Sequence, residues 1–94
     1  MKLSILIPVF NERATIEELL RRVVDAETRD CEKEIIVVDD GSTDGTDTIL
    51  QKLQPAFGFT LLRHKKNQGK GAAIHTALTE TTGDLVLTQD ADPN

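Results

Sequence analysis

The chain alternates short apolar runs with amphipathic stretches. Leu3-Ser4-Ile5-Leu6-Ile7-Pro8-Val9 is mostly apolar and rich in branched residues, the pattern of a central parallel strand covered on both faces. Pro8 has no N–H to give a ladder, so it marks the strand's end and shapes the loop beyond it. Ile16, Leu19, Leu20, Val23 and Val24 then recur at the spacing of one helical face, with Glu17, Glu18, Arg21 and Arg22 on the other. Asn11 reads as the N-cap of this helix, with Glu12 favourably placed against its dipole. Glu34 to Asp40 repeats the buried-strand pattern. The turn cluster Gly41-Ser42-Thr43-Asp44-Gly45 then offers several caps to a second helix, whose apolar edge is Ile49, Leu50 and Leu53 and whose end is set by Pro55 and Gly58. Phe59 to Arg63 reads as a third strand and His64 to Gly69 as a basic loop. A third helix carries Ala73, Ile74, Ala77 and Leu78 on one face, with Gly83 as its stop. The last apolar run, Leu85-Val86-Leu87, delivers Asp90-Ala91-Asp92.

The order β-α-β-α-β-α-β with short links predicts an α/β fold. Right-handed crossovers then give a mostly parallel sheet with helices on both faces. Ligands of such sheets bind in the crevice beyond the carboxyl ends of the strands, and here those ends are unusually polar. Asn11 and Glu12 follow the first strand; Asp39, Asp40, Gly41 and Ser42 the second; Lys65 to Lys70 the third; Asp90 and Asp92 the fourth. Each loop alone is equally a set of helix caps or a solvated turn. Four of them on one edge make a candidate site. Asp90 and Asp92 point the same way if the strand's extension continues, and a turn would also bring them together. Two convergent carboxylates form a hard, oxygen-rich site suited to Mg²⁺ or Mn²⁺ carrying a phosphorylated ligand.

Composition narrows the classes. Ninety-four residues allow one small domain. Eleven basic against 16 acidic residues give a net charge of −5, which disfavours the broad phosphate contacts of a nucleic-acid binder. The single Cys31 excludes an internal disulfide and a multi-cysteine zinc site. Met1-Lys2 and the run to Phe10 are too short, and too polar at Asn11-Glu12-Arg13, for a signal peptide. No segment approaches the roughly 18 apolar residues of a membrane helix, so a soluble chain is expected.

Standard phosphate fingerprints fail. His64 stands where a Walker A loop needs its first Gly, and Gly71 follows Lys70 in place of Ser or Thr. The first βα turn carries no Gly, against the dinucleotide pattern. Gly69-Lys70-Gly71 would still place a cation and helix N–H groups near a diphosphate, unless it is a solvated loop.

Four segments in this order resemble glycosyltransferase family 2, in particular its dolichyl- or polyprenyl-phosphate mannose and glucose synthase branch. They are Pro8-Val9-Phe10-Asn11-Glu12, Val37 to Thr46, Asn67-Gln68-Gly69-Lys70-Gly71-Ala72-Ala73, and Gly83-Asp84 through Asp90-Ala91-Asp92. The resemblance spans essentially the whole chain. It implies the Rossmann-like, nucleotide-binding half of a GT-A fold over residues 1–94, with the acceptor-binding half absent. It places Pro8, Phe10 and Glu12 around the nucleoside, Glu12 near the ribose, and Asp40 at the base, accepting from a ring N–H of uracil or guanine. Lys70 falls on the phosphate side, Asp90 near the ribose and the metal, and Asp92 as the firmer metal ligand. The implied cofactor is Mg²⁺ or Mn²⁺, the donor a UDP- or GDP-sugar, and an acceptor candidate a lipid phosphate. The implied reaction is an inverting single displacement whose general base lies beyond Asn94, so the chain by itself binds the donor without transferring it. The implied location is cytoplasmic, with the full-length protein peripheral at the cytoplasmic membrane face.

One departure from the family pattern stands at the end. Relatives with Asp-Ala-Asp place further residues before an Asp-Pro-Asn-like segment, whereas Pro93-Asn94 follow Asp92 at once; a missing segment or a different true chain is expected. Two other classes stay open. A nucleotidyltransferase shares the sheet and its acids but calls for a Gly-rich basic loop after the first strand, which Pro8 to Glu12 is not. A catalytically silent, receiver-like module would hold Mg²⁺ with acids at the end of the first strand, where this chain has Pro8.

Overall fold

The computed structural model describes residues 1–26 and 31–91. Its elements follow the expected order: β1 (Lys2–Val9), α1 (Ile16–Asp25), β2 (Glu32–Asp39), α2 (Thr46–Phe57), β3 (Thr60–Arg63), α3 (Lys70–Leu78) and β4 (Leu85–Thr88). The strands form one parallel sheet in the order β3-β2-β1-β4. The chain therefore steps outward from β1 to β3 and then returns across β1 to place β4 on the far side. This reversal is a topological switch point, where the loops after β1 and β4 part and leave a crevice.

Helices cover both faces, as the pattern predicts. On one face Ile5, Ile7 and Val9 of β1 and Ile35 and Val37 of β2 pack with Ile16 and Leu20 of α1 and Leu50 of α2. On the other, Leu6, Ile36 and Val38 meet Ala73 and Ala77 of α3. Strand alternation supplies the two sets, and the small alanines let α3 lie close to the sheet. On α1 the Glu17–Arg21 and Glu18–Arg22 pairs form on the solvent side.

Three local expectations change. Asn11 is not a helix cap: it sits at φ 51°, a turn intervenes, and Thr15 occupies the cap position. Pro55 does not end α2, which runs on to Phe57 because Phe57 packs against the core and Gly58, at φ 73°, closes the helix by donating to the Gln54 carbonyl. Gly83 is not the stop of α3, which ends at Leu78. It lies against β1 instead, where a Cβ would stand 2.5 Å from Ser4 Oγ and 2.8 Å from Ser4 N.

The apolar run of β4 also behaves unlike the others. Leu85, Val86 and Leu87 are each about half exposed, because their side chains enter neither core cluster of the described residues. Ala91, at the far end, is buried in the α1 side of the core and fixes the path of the loop that carries Asp90.

Candidate functional site

All four loops at the carboxyl edge contribute to one cavity of about 300 Å³. Its walls hold Pro8, Phe10 and Glu12 after β1, Asp40 after β2, Lys70 at the start of α3, and Asp90 after β4. Every site residue expected from the sequence is thus brought together except Asp92, which lies outside the described residues. With Val9 of β1, Asn67 and Ala73 complete the lining. Asn67 and Ala73 fall in a segment that resembles the family but were not expected as site residues, although the parallel sheet places the third loop beside Asp40.

The loops are stitched to one another before any ligand arrives. The backbone N–H of Asn11 donates to Ser42 Oγ at 2.9 Å, and Asn11 Oδ1 accepts from the Thr43 N–H at 2.8 Å. Asp44 takes the N–H of Arg13 at 3.3 Å and also caps the first turn of α2 through Thr46. Gly41, at φ 79°, lets the third loop approach so closely that a Cβ there would lie 2.5 Å from the Asn67 nitrogen.

Asp40 is the hub of this stitching. It is 3% exposed. Its Oδ1 accepts from His64 Nδ1 at 2.7 Å and the Gln68 N–H at 2.9 Å, and its Oδ2 from the Gly69 N–H at 2.9 Å and Asn67 Nδ2 at 3.1 Å. Burial on its own would raise the Asp40 carboxyl; the Gln68, His64 and Gly69 donors outweigh it and hold the pKa below its ordinary value. The neighbouring Asp39 faces the other way and is wholly buried. Its Oδ1 accepts from the Ser42 N–H at 3.0 Å, while Oδ2 has no hydrogen-bond partner and lies 3.8 Å from Arg63 Nε.

The opposite wall is looser. Glu12 is half-buried, and its Oε2 accepts from Thr15 Oγ1 at 3.2 Å. Phe10 is 42% exposed and leaves an apolar ring available beside Pro8. Lys70 and Asp90 are ion-paired across the cavity mouth, both about half exposed. Among the described residues no three His, Cys, Asp or Glu side chains converge on a metal position. The donor chemistry nevertheless fits a hard divalent ion: Asp90 presents carboxylate oxygens at the cavity, and a ligand's phosphate oxygens would supply others. Chemically, the arrangement offers a flat apolar surface, a fixed acceptor, and a cation with a carboxylate at the other end, which are complementary to a nucleoside diphosphate.

Comparison with known proteins establishes the family and the fold. Residues 4–93 match the family model for glycosyl transferase family 2, and the chain belongs to that family. It is 43% identical over 94 residues to the undecaprenyl-phosphate 4-deoxy-4-formamido-L-arabinose transferase of Sodalis glossinidius, covering 97% of this chain and 29% of that protein. It is 37% identical over 92 residues to the dolichol-phosphate mannosyltransferase of Pyrococcus furiosus, covering 98% of this chain and 26% of the relative. Among solved structures, S. aureus TarS 1-349 in complex with UDP-GlcNAc superposes with a TM-score of 0.85 at 33% identity, covering 98% of this chain and 27% of that one. The mannosyltransferase PcManGT of Pyrobaculum calidifontis, in complex with GDP-Man and Mn²⁺, gives 0.82 at 35% identity, covering 96% and 27%. The chain thus spans just over a quarter of the length of these relatives. The fold is the Rossmann-like GT-A arrangement expected from the sequence, and family membership selects the glycosyltransferase class over the nucleotidyltransferase and receiver-like ones. No helix among the described residues is long and apolar enough to cross a membrane.

Proposed function

We propose that the chain is the donor-binding part of a glycosyltransferase that uses a UDP- or GDP-sugar, with a lipid phosphate such as polyprenyl phosphate as acceptor. The carrying observation is the convergence of Phe10, Asp40, Lys70 and Asp90, from four separate loops, on one cavity at the switch point. In this reading Pro8 and Phe10 take the base face, Asp40 a base N–H, Glu12 the ribose, and Lys70 the phosphates. The relatives support the two partners: PcManGT is complexed with GDP-Man, TarS with UDP-GlcNAc, and the curated relatives are named for polyprenyl-type phosphates.

The family implies a metal. Asp90 and Asp92 would hold Mg²⁺ or Mn²⁺, which would stabilise the negative charge growing on the departing nucleoside diphosphate. Lys70, here paired with Asp90, would contribute its positive charge to the diphosphate side of the site. The acceptor oxygen attacks the anomeric carbon as the bond to the diphosphate breaks, with inversion. A lipid phosphate brings an already anionic oxygen at neutral pH, its second pKa being about 6, so no residue of this chain is needed as a base. A lipid acceptor would place the complete enzyme at the cytoplasmic face of a membrane.

Calorimetric titration of the chain with UDP and GDP, with and without Mn²⁺, tests the reading. Binding of one of them, strengthened by Mn²⁺ and weakened in Asp92→Ala, is expected. Absence of binding by both under either condition contradicts it.

A further inference from the structure

The four donors on Asp40 are not equivalent, and the difference points to a role for a residue outside the cavity lining. An ionised carboxylate offers about four acceptor positions, and in Asp40 all four are taken. Two of the donors are backbone N–H groups fixed by the start of α3, and one is His64, itself only 9% exposed. The fourth, the Asn67 carboxamide, is exposed, lines the cavity, makes the longest of the four contacts at 3.1 Å, and shares its Nδ2 with the Asp40 backbone carbonyl at 3.3 Å. A base N–H reaching Asp40 must therefore replace Asn67, because only this donor can leave without disturbing buried structure.

His64 fixes the geometry that makes this exchange selective. Asp40 has no proton to share, so the His64 Nδ1 carries it and donates. Its Nε2 lies 2.8 Å from the Thr76 hydroxyl, within hydrogen-bond reach whether the ring is neutral or protonated, which ties the ring to the middle of α3. Asp40, His64 and Thr76 thus link the ends of β2 and β3 to the helix behind the cavity. Rotation of the carboxylate would break the two bonds on Oδ1, so Oδ2 is the oxygen held toward the cavity.

We propose that His64 is a positioning residue for base recognition: by anchoring Asp40 Oδ1 it leaves the Oδ2 position now covered by Asn67 as the single acceptor exchanged for a nucleobase N–H. This rests on the donor-site reading above. It follows that the site selects bases with a ring N–H, as in uracil and guanine, against cytosine and adenine, which present a ring acceptor there.

Calorimetric titration of the 94-residue chain with UDP, GDP, CDP and ADP in Mg²⁺ tests the proposal, with unfolding temperatures recorded for each variant. The wild type should prefer UDP over CDP or GDP over ADP by at least about tenfold, the scale of a good base-edge contact. His64→Ala should lose most of that preference, whereas His64→Asn, whose amide N–H falls near the position of Nδ1, should keep it. Asn67→Ala should bind the preferred nucleotide a few-fold more tightly, because no cap has to leave. Unchanged base preference in a folded His64→Ala, or a tenfold loss in Asn67→Ala, overturns the proposal while leaving the donor site standing. Should His64→Ala not fold, a folded His64→Asn that has lost the preference overturns it equally. If none of the four nucleotides binds, the donor-site reading itself fails. Nitrogen-15 NMR of the ring gives an independent readout: a proton on Nδ1 is expected, and a ring protonated at Nε2 alone contradicts the anchoring role.

Discussion

On the β2–β3 flank of the site, Asp40 is 3% exposed and holds four donors from one loop. On the β4 flank, the Asp90 side chain is 48% exposed and its carboxylate is paired with the equally open Lys70. The first flank is set before a ligand arrives; the second is a pair of charges in high dielectric, whose attraction is weak and easily exchanged. Such a division suits a donor substrate with two unlike ends. A base is recognised by shape and a few directed hydrogen bonds, which reward rigidity, while a diphosphate carries charge that mobile ions and side chains can follow. The same contrast runs through the strands, since Ile36 and Val38 of β2 are fully buried while Leu85 and Leu87 of β4 are half exposed.

The sharpest way to break the comparison is to remove the hub. Asp40→Ala leaves His64, Asn67 and the Gln68 and Gly69 N–H groups without their acceptor. A loss on the order of 3 kcal/mol in urea unfolding is expected, with the amides of the third loop exchanging faster. A loss near zero would show that the loop holds itself.

Acid should act next. Asp40 is held low by the Gln68, His64 and Gly69 donors against its own burial, and Glu34 is held low by Ser4 first and then Thr82. Both are therefore depressed below their unfolded values. Their stabilisation is complete above the ordinary carboxyl range, about pH 4, and is lost as pH falls through the lowered folded values. Thermal unfolding should accordingly be flat from pH 7 to about 5 on their account and decline only below about 4. A decline that begins near neutrality contradicts this.

The smallest effect is expected on the open flank. Asp90→Ala should change stability by no more than about 0.5 kcal/mol. It should nevertheless weaken Mn²⁺-dependent nucleotide binding roughly tenfold, the equivalent of one charge-assisted contact. An equal loss in stability and binding would erase the distinction between the flanks.

Much of this was legible in the residues. Branched apolar runs and one clear helical stripe located the elements, the rule that ligands sit beyond parallel strand ends gathered Glu12, Asp40, Lys70 and Asp90, and the family resemblance added Pro8 and Phe10. What escaped was non-local. The Asp40–His64 contact joins positions 24 apart, and a basic loop reads as solvated until the sheet register is known. That register pairs Asp39 with Arg63, so the next residues, Asp40 and His64, fall side by side; this was the available signal. Asn11 misled because it has the chemistry of a helix cap while serving, at positive φ, as a clamp on Ser42 and Thr43. Leu85-Val86-Leu87 forms the strand its apolar run predicts, but its exposure was not legible, because an apolar run looks the same whether or not its faces are covered.

The most direct test of the account is an amide NMR map of the chain during titration with UDP or GDP in Mg²⁺. Shifts confined to the carboxyl edge, strongest at Phe10, Gln68, Gly69 and Asp90, are predicted. Shifts at the opposite end of the sheet instead, around Lys2, Glu32 and Asp84 where a second cavity opens, or no shifts at all, would contradict it.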